Sequence, residues 1–251
     1  MDAEVKRLAQ KAVDLYKSRK DNSRILICIG GPPGCGKSTL AFPLVDKINS
    51  LLSSPPTHHP SIVDSSTALA TQPQESPDKP AVSVSLDGWH YPRAILDTFP
   101  DPQEAHYYRG APFTFDVDSY LKFVQKLKQD TEEEVGYFEF DHALKDPTPA
   151  PRPITRKNRI VVIEGLYCLL DEDKWRDAAE MMDLKIFVEV DEEVERERLI
   201  ERNYKAGLAS TRELLIERVD ASDMRNGRTV RSKRVTPTDI VWSIQDPSHG
   251  K

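Results

Sequence analysis

The sequence predicts an α/β fold, a three-layer arrangement in which a five-stranded, mostly parallel sheet is covered by helices on both faces. Five short apolar runs alternate with helical patterns along the chain, and that alternation is the mark of repeated strand–helix units. Four of the runs are near-continuously apolar, as strands covered on both faces are. At 251 residues the chain could hold one large domain or two small ones. No composition break separates two cores, so a single domain over 1–251 is expected.

The elements follow in order. Residues 1–20 place Val5, Leu8, Ala9, Ala12, Leu15 and Tyr16 at helical spacing, which predicts an amphipathic helix packed on the domain. Asp2, Glu4 and Asp14 interrupt its positive face, which argues against a mitochondrial presequence, and no apolar run suggests a secretory signal. The first strand is RILICIG (24–30), followed by a helix over 37–52. Residues 53–80 then hold six of the 19 prolines, nine Ser or Thr, and no Gly, aromatic or Arg. Such a segment buries too little apolar area to offset its ordering entropy and is read as a flexible insertion. His58 and His59 in it lack the acidic or Cys partners of a metal site. VSVSLDG (82–88) is the second strand, and Asp116 and Asp118 open a helix over 116–130. VGYFEFD (135–141) reads as a strand outside the main sheet, and Asp146 to Pro153 as an extended, Pro-rich connector. RIVVIEG (159–165), LKIFVEV (184–190) and DIVWSI (239–244) complete the sheet. Helices over 173–182, 191–206 and 210–222 lie between them.

Composition excludes several classes. Lys plus Arg total 35 against 41 Asp plus Glu, a net charge of −6. A mildly acidic chain is poorly suited to coating nucleic acid, which needs a basic face. No stretch approaches the ~20 apolar residues of a membrane-spanning helix. Cys28, Cys35 and Cys168 are widely spaced and odd in number, supporting neither a disulfide framework nor a zinc site. A cytoplasmic protein without nucleic-acid or membrane partners is expected, its oligomeric state open.

Directly after the first strand comes Gly31-Pro32-Pro33-Gly34-Cys35-Gly36-Lys37-Ser38-Thr39. This fits G-x-x-x-x-G-K-[ST] in the right setting, between a strand and a helix. The glycines let successive N–H groups turn inward around a phosphate, and the helix points its positive end at the same place. Lys37 can reach the outer phosphates and the Ser38 hydroxyl can ligate Mg²⁺. Cys35 is read as a small filler. The loop binds a nucleoside triphosphate and makes the three layers those of a P-loop NTPase.

GTP switches, motor ATPases and small-molecule kinases share this loop. The Asn/Thr-Lys-x-Asp guanine motif is absent, and a motor ATPase usually needs a larger chain. Asp87-Gly-Trp-His90-Tyr91 ends the second strand and Glu164-Gly-Leu-Tyr167 the third strand of the main sheet. In an open parallel sheet both carboxylates enter the crevice at the strands' carboxyl ends, beside the P-loop. There one could orient or deprotonate an acceptor hydroxyl while the other holds the metal. The bland alternative makes either one a strand-end cap.

GGPPGCGKST, DGWHYP, YYRGAPFTFD, FDHALKDP and VVIEGLY, in this order, resemble the uridine kinase/phosphoribulokinase/pantothenate kinase group. They resemble most closely its fungal ATP-dependent kinases and bacterial fructose-transport-type kinases, from about Ile25 to Ile244. The resemblance implies an ATP-dependent kinase with Mg²⁺ that phosphorylates a hydroxyl of a small metabolite of nucleoside, vitamin-precursor or sugar type. It assigns Asp87 as base and Glu164, with Ser38, to the metal. Arg109 of the RxGxPxxFD element would face the acceptor, with His90, Tyr91, Asp141 and His142 lining the same pocket. From the residues alone, Arg109 reads equally as an ion-pair partner and His142 as a structural histidine.

Nine arginines lie between Arg196 and Arg234. Solvated helix faces with i,i+3 and i,i+4 glutamates account for many such runs. By resemblance 191–212 is an Arg-bearing lid, with Lys37, Arg198 and Arg202 stabilising the transferring phosphoryl. Arg202-Asn203 stands where the uridine kinase lid has Arg-Asp, which weakens uridine as acceptor. Asp223-Met-Arg-Asn226-Gly resembles the family's segment near the adenine. A nucleoside-monophosphate kinase, and a non-catalytic ATP-binding regulator, are the alternatives.

Overall fold

The central runs Ile25–Gly30 and Ile160–Glu164 are buried along their whole length, whereas the edge run Asp239–Trp242 keeps Ile240 and Trp242 exposed. The computed structural model describes residues 1–21, 23–53, 79–129, 133–208 and 211–243. In it β1 (Ile25–Gly30), β2 (Ala81–Ser85), β5 (Ile160–Glu164), β6 (Leu184–Glu189) and β7 (Asp239–Trp242) form one sheet in the order β2-β5-β1-β6-β7. Every pairing in it is parallel, so the sheet is wholly rather than mostly parallel. The antiparallel element is a separate hairpin of β3 (Phe138–Asp141) and β4 (Asp146–Pro149). The stretch read as a Pro-rich connector thus supplies a strand in its first half. Its prolines are tolerated because a two-stranded ribbon leaves one edge of each strand without ladder bonds.

Alternation along β1 divides the core. Ile25, Ile27 and Ile29 face α1 (Asp2–Ser18) and α2 (Lys37–Leu52), meeting Leu8, Ala12, Leu40 and Leu44. Leu26 and Cys28 face the other way, toward α5 (Val117–Lys128) and α6 (Asp173–Glu180), with Tyr120, Phe123 and Trp175. Each such large apolar side chain contributes about 1.5–3 kcal/mol on burial, and the two layers together hold the strand ends in register. α1 is the helix expected over 1–20.

Two expected elements differ. The run 82–88 leaves the sheet after Ser85, and Leu86–Trp89 forms a 3₁₀ turn. Ser85 Oγ accepts from the Asp87 N–H at 3.3 Å, and Gly88 presses against the hairpin so closely that a Cβ there would lie 1.8 Å from Phe138 O. The helix expected over 210–222 begins as α8 (Arg212–Arg218), passes through a π turn (Val219–Asp223) and continues as α9 (Met224–Ser232). Together with α7 (Glu192–Lys205), these segments enclose a small core of Leu199, Ile200, Leu215, Val219 and Met224. Two short helices, α3 (Arg93–Leu96) and α4 (Pro102–Tyr107), precede α5. Almost all of the predicted 53–80 insertion, His58 and His59 included, lies outside the described residues. Among the described residues no helix is long and apolar enough to cross a membrane.

Candidate active site

The phosphate loop joins β1 to α2, and its glycines sit where other residues would be strained. Gly31, Gly34 and Gly36 have φ of +152°, +72° and +91°, in the region L side chains avoid. At Gly31 a Cβ would also stand 2.4 Å from Val188 O. Gly36 caps α2, so the first-turn N–H groups of Lys37, Ser38 and Thr39 face the loop's interior. Lys37 Nζ donates to Gly31 O (3.0 Å) and Pro32 O (2.9 Å). Its ammonium is therefore folded over the loop rather than out into water. Pro32 packs against α9, 3.3 Å from where a Gly227 Cβ would stand. Cys35 is buried, which pushes its thiol pKa up against the pull of Lys37; it fills space and is a poor thiolate.

The two strand-end carboxylates occupy contrasting settings. Glu164 is 8% exposed, and the nearby hydroxyls of Ser85 and Ser38 favour its charged form. Burial raises its pKa, Lys37 opposes that, and Asp87 adds to it. Asp87, on the 3₁₀ turn, leaves half of its side chain exposed. His90 Nδ1 lies 3.0 Å from Asp87 O and 3.8 Å from Asp87 Oδ1, and its ring rests on Phe115 (3.9 Å between centroids) and near Phe140 (5.3 Å). Burial lowers the His90 pKa against the pull of Asp87, which favours the neutral imidazole. Lys37, Ser38 and Asp87 thus all act on Glu164. Ser85 belongs with them, and only its place just before the turn marks it in the sequence.

The remaining predicted residues divide. Arg109 donates to Tyr91 O (2.9 Å), Lys145 O (2.6 Å) and Asp146 Oδ1 (2.8 Å), with its guanidinium carbon 5.5 Å from the Phe140 ring centre. Its terminal nitrogens are committed to fastening the hairpin to the segment after β2, and only its buried Nε lacks a partner among the described residues. Tyr91 lies against Phe99 and is held by its backbone, donating to Thr114 O at 2.8 Å. Asp141 accepts from the N–H groups of Ala143 (2.8 Å) and Leu144 (2.9 Å), so its carboxylate shapes the hairpin turn. His142 is exposed with its ring beside Phe140.

The arginines of α7 also separate. Arg198 Nη1 donates to Ser243 Oγ (2.9 Å) and Gly34 O (3.4 Å), directly on the phosphate loop. Arg202 is exposed, its Nε donating to Asn203 Oδ1 at 3.1 Å. α7 packs on the phosphate loop: Glu195 is fully buried and Leu199 lies against Gly34. Asn226, placed by resemblance near the adenine, donates to Gly110 O at 3.3 Å, the same carbonyl that accepts from Tyr167 Oη at 2.7 Å. Tyr167, Asn226 and Ser243 acquire their roles through contacts far apart in the chain, which leave no local signal.

The arrangement matches known proteins. A provisionally named uridine kinase of Schizosaccharomyces pombe is 36% identical over 238 residues, covering 95% of this chain and 90% of that one. ATP-dependent kinase YFH7 of Kluyveromyces lactis is 27% identical, covering 91% and 94%. Among solved structures, YFH7 of Saccharomyces cerevisiae superposes with a TM-score of 0.75 at 26% identity over 96% of this chain and 99% of that one. A provisionally named fructose transport system kinase of Silicibacter sp. TM1040 gives 0.74 at 26% identity over 94% and 98%. The Phosphoribulokinase / Uridine kinase family pattern matches residues 26–211, spanning the phosphate loop, both strand-end carboxylates and α7. The chain belongs to the phosphoribulokinase/uridine kinase family of P-loop kinases.

Proposed function

We propose that the chain transfers the γ-phosphoryl group of ATP, with Mg²⁺, to a hydroxyl of a small metabolite. One observation carries the reading. The Glu164 carboxylate is buried and feels Lys37, Ser38 and Ser85, whereas Asp87 beside it opens to solvent. A buried carboxylate facing the phosphate loop suits a metal role, and an exposed one suits an incoming hydroxyl.

In this reading residues Gly31 to Thr39 hold the triphosphate through backbone N–H groups. Lys37 exchanges the carbonyls of Gly31 and Pro32 for phosphate oxygens, and Arg198 adds charge from the lid side, with Arg202 following on closure. The metal-site donors, Ser38 and Glu164 with Asp87 close by, are all hard oxygens. Such oxygen donors suit Mg²⁺, an ion that keeps waters and shares phosphate oxygens. When bound, Mg²⁺ neutralises phosphate charge. Asp87 accepts the hydroxyl proton late in a loose transition state, where positioning and charge neutralisation supply most of the acceleration. His90, neutral and held to the Asp87 carbonyl, orients the acceptor beside Phe140. Tyr91, Arg109, Asp141 and His142 build that wall, Arg109 and Asp141 by fixing the hairpin.

The test is acceptor-dependent ADP release from MgATP across nucleosides, vitamin precursors, sugars and hydroxy acids, with the product analysed by phosphorus NMR. A phosphate monoester on a former hydroxyl supports the reading. A phosphoanhydride product, or ADP release that no acceptor stimulates, overturns it.

A further inference from the structure

Helix α9 spans the two sides of the site. Gly227 on it lies against Pro32 of the phosphate loop, and buried Asn226 reaches Gly110 O of the loop that follows Arg109. Tyr167, three residues beyond Glu164, holds the same carbonyl. The residue before Asn226 is Arg225, whose guanidinium carbon stands 5.0 Å over the centre of the Tyr108 ring. A face-on aromatic partner holds an arginine in place without neutralising it. Arg225 is exposed and, among the described residues, has no carboxylate within ion-pair distance. Its neighbours differ: Arg228 pairs with Glu192, Arg231 with Glu189 and Glu195, and Arg234 with Glu189. Arg109, which the resemblance turns toward the acceptor, gives both of its terminal nitrogens to Asp146 and two backbone carbonyls. Among the described residues, the guanidinium that meets this acceptor loop without a carboxylate partner is that of Arg225, from α9.

We propose that Arg225 recognises an anionic substituent, a carboxylate or a phosphate monoester, on the hydroxyl acceptor, so that the substrate is an anionic rather than a neutral alcohol. The proposal rests on the kinase reading above. A guanidinium fork matches either anion through two parallel hydrogen bonds. Position separates this role from a nucleotide contact: Arg225 leans on Tyr108 of the acceptor loop, while Arg198 is the arginine on Gly34.

The experiment is calorimetric titration of the full chain saturated with MgADP, using paired probes that differ in charge: glycerate and glycerol, pantothenate and panthenol, ribose 5-phosphate and ribose. At least one anionic member should bind, with its neutral partner at least tenfold weaker. A carboxylate and a phosphate probe in the set tell the two anions apart. Arg225→Gln should weaken the anionic probe about tenfold to a hundredfold, the worth of one charged hydrogen-bonding group. ADP affinity should stay within twofold, and Arg225→Lys should restore part of the loss. Equal binding of a neutral partner, no binding by any anionic probe, or a loss in Arg225→Gln that falls on ADP overturns the proposal. Failure of the wild-type chain to bind MgADP at all would instead overturn the kinase reading, so the two failures are distinct.

Discussion

Glu195 is a carboxylate with no exposed surface, on the side of α7 that packs behind the phosphate loop. Its cation is Arg231, whose Nη1 comes within 2.7 Å of Oε2. The approach is not aligned as a hydrogen bond, and neither oxygen of Glu195 has a hydrogen-bond donor among the described residues. Arg231 is shared, since Glu189 takes its Nε at 2.8 Å. Desolvation therefore outweighs the attraction of Arg231, and burial pushes the Glu195 pKa up from 4.5 to about 7. A carboxyl whose pKa is raised on folding binds its proton more tightly in the native state. The associated stability is complete below pH 4.5 and is lost as pH rises through about 7, a difference of about 3 kcal/mol. Glu195→Gln keeps the shape and removes the charge, while Arg231 retains Glu189. The variant should match the wild type near pH 4.5 and exceed it by about 3 kcal/mol at pH 8, or about 6–12 °C in Tm for a chain of this size. Urea unfolding of both proteins at several pH values measures the difference. A difference that does not change with pH, or a variant less stable at pH 8, would refute the reasoning.

Other substitutions test separate parts of the site. Lys37→Met removes the ammonium now bonded to Gly31 O and Pro32 O and should weaken ADP binding about tenfold to a hundredfold by calorimetry; unchanged affinity would remove Lys37 from the phosphate site. Gly88→Ala drives a Cβ against Phe138 O and should cost about 1–3 kcal/mol in urea unfolding, with turnover falling further than ADP affinity because the hairpin and Asp87 move together. Tyr167→Phe deletes the 2.7 Å hydrogen bond to Gly110 O and should cost about 1 kcal/mol, visible as a raised acceptor KM with ATP KM unchanged.

The parts of this protein legible in its sequence are those whose physics is local. Glycine spacing in 31–36 dictates a loop that other residues could not adopt, and uninterrupted apolar runs dictate strands covered on both faces. Since Glu164 ends such a run and Asp87 follows the alternating run VSVSL, both acids could be placed at strand ends beside Lys37 without coordinates. The partners of long polar side chains were not legible in the same way. Arg109 and Asp146 are 37 residues apart, and nothing near Arg109 announces that its donors will be used there. Arg225 and Arg231 sit in one arginine-rich stretch, yet among the described residues Arg225 has no carboxylate partner while Arg231 lies among Glu189, Glu192 and Glu195. The 3₁₀ turn at Leu86–Trp89 reads as strand because its apolar residues continue the run; the contact of Gly88 with the hairpin ends it.

The central claim is that Asp87 takes the proton of an acceptor hydroxyl beside a bound nucleotide. It is tested most directly by Asp87→Asn, comparing MgADP affinity with acceptor-dependent turnover in one preparation. Nucleotide affinity should remain within a few-fold of wild type while turnover falls about 10²–10⁴-fold, the usual contribution of a general base. Turnover equal to wild type would contradict the assignment. Equal loss of nucleotide binding would place Asp87 in the metal and phosphate site instead.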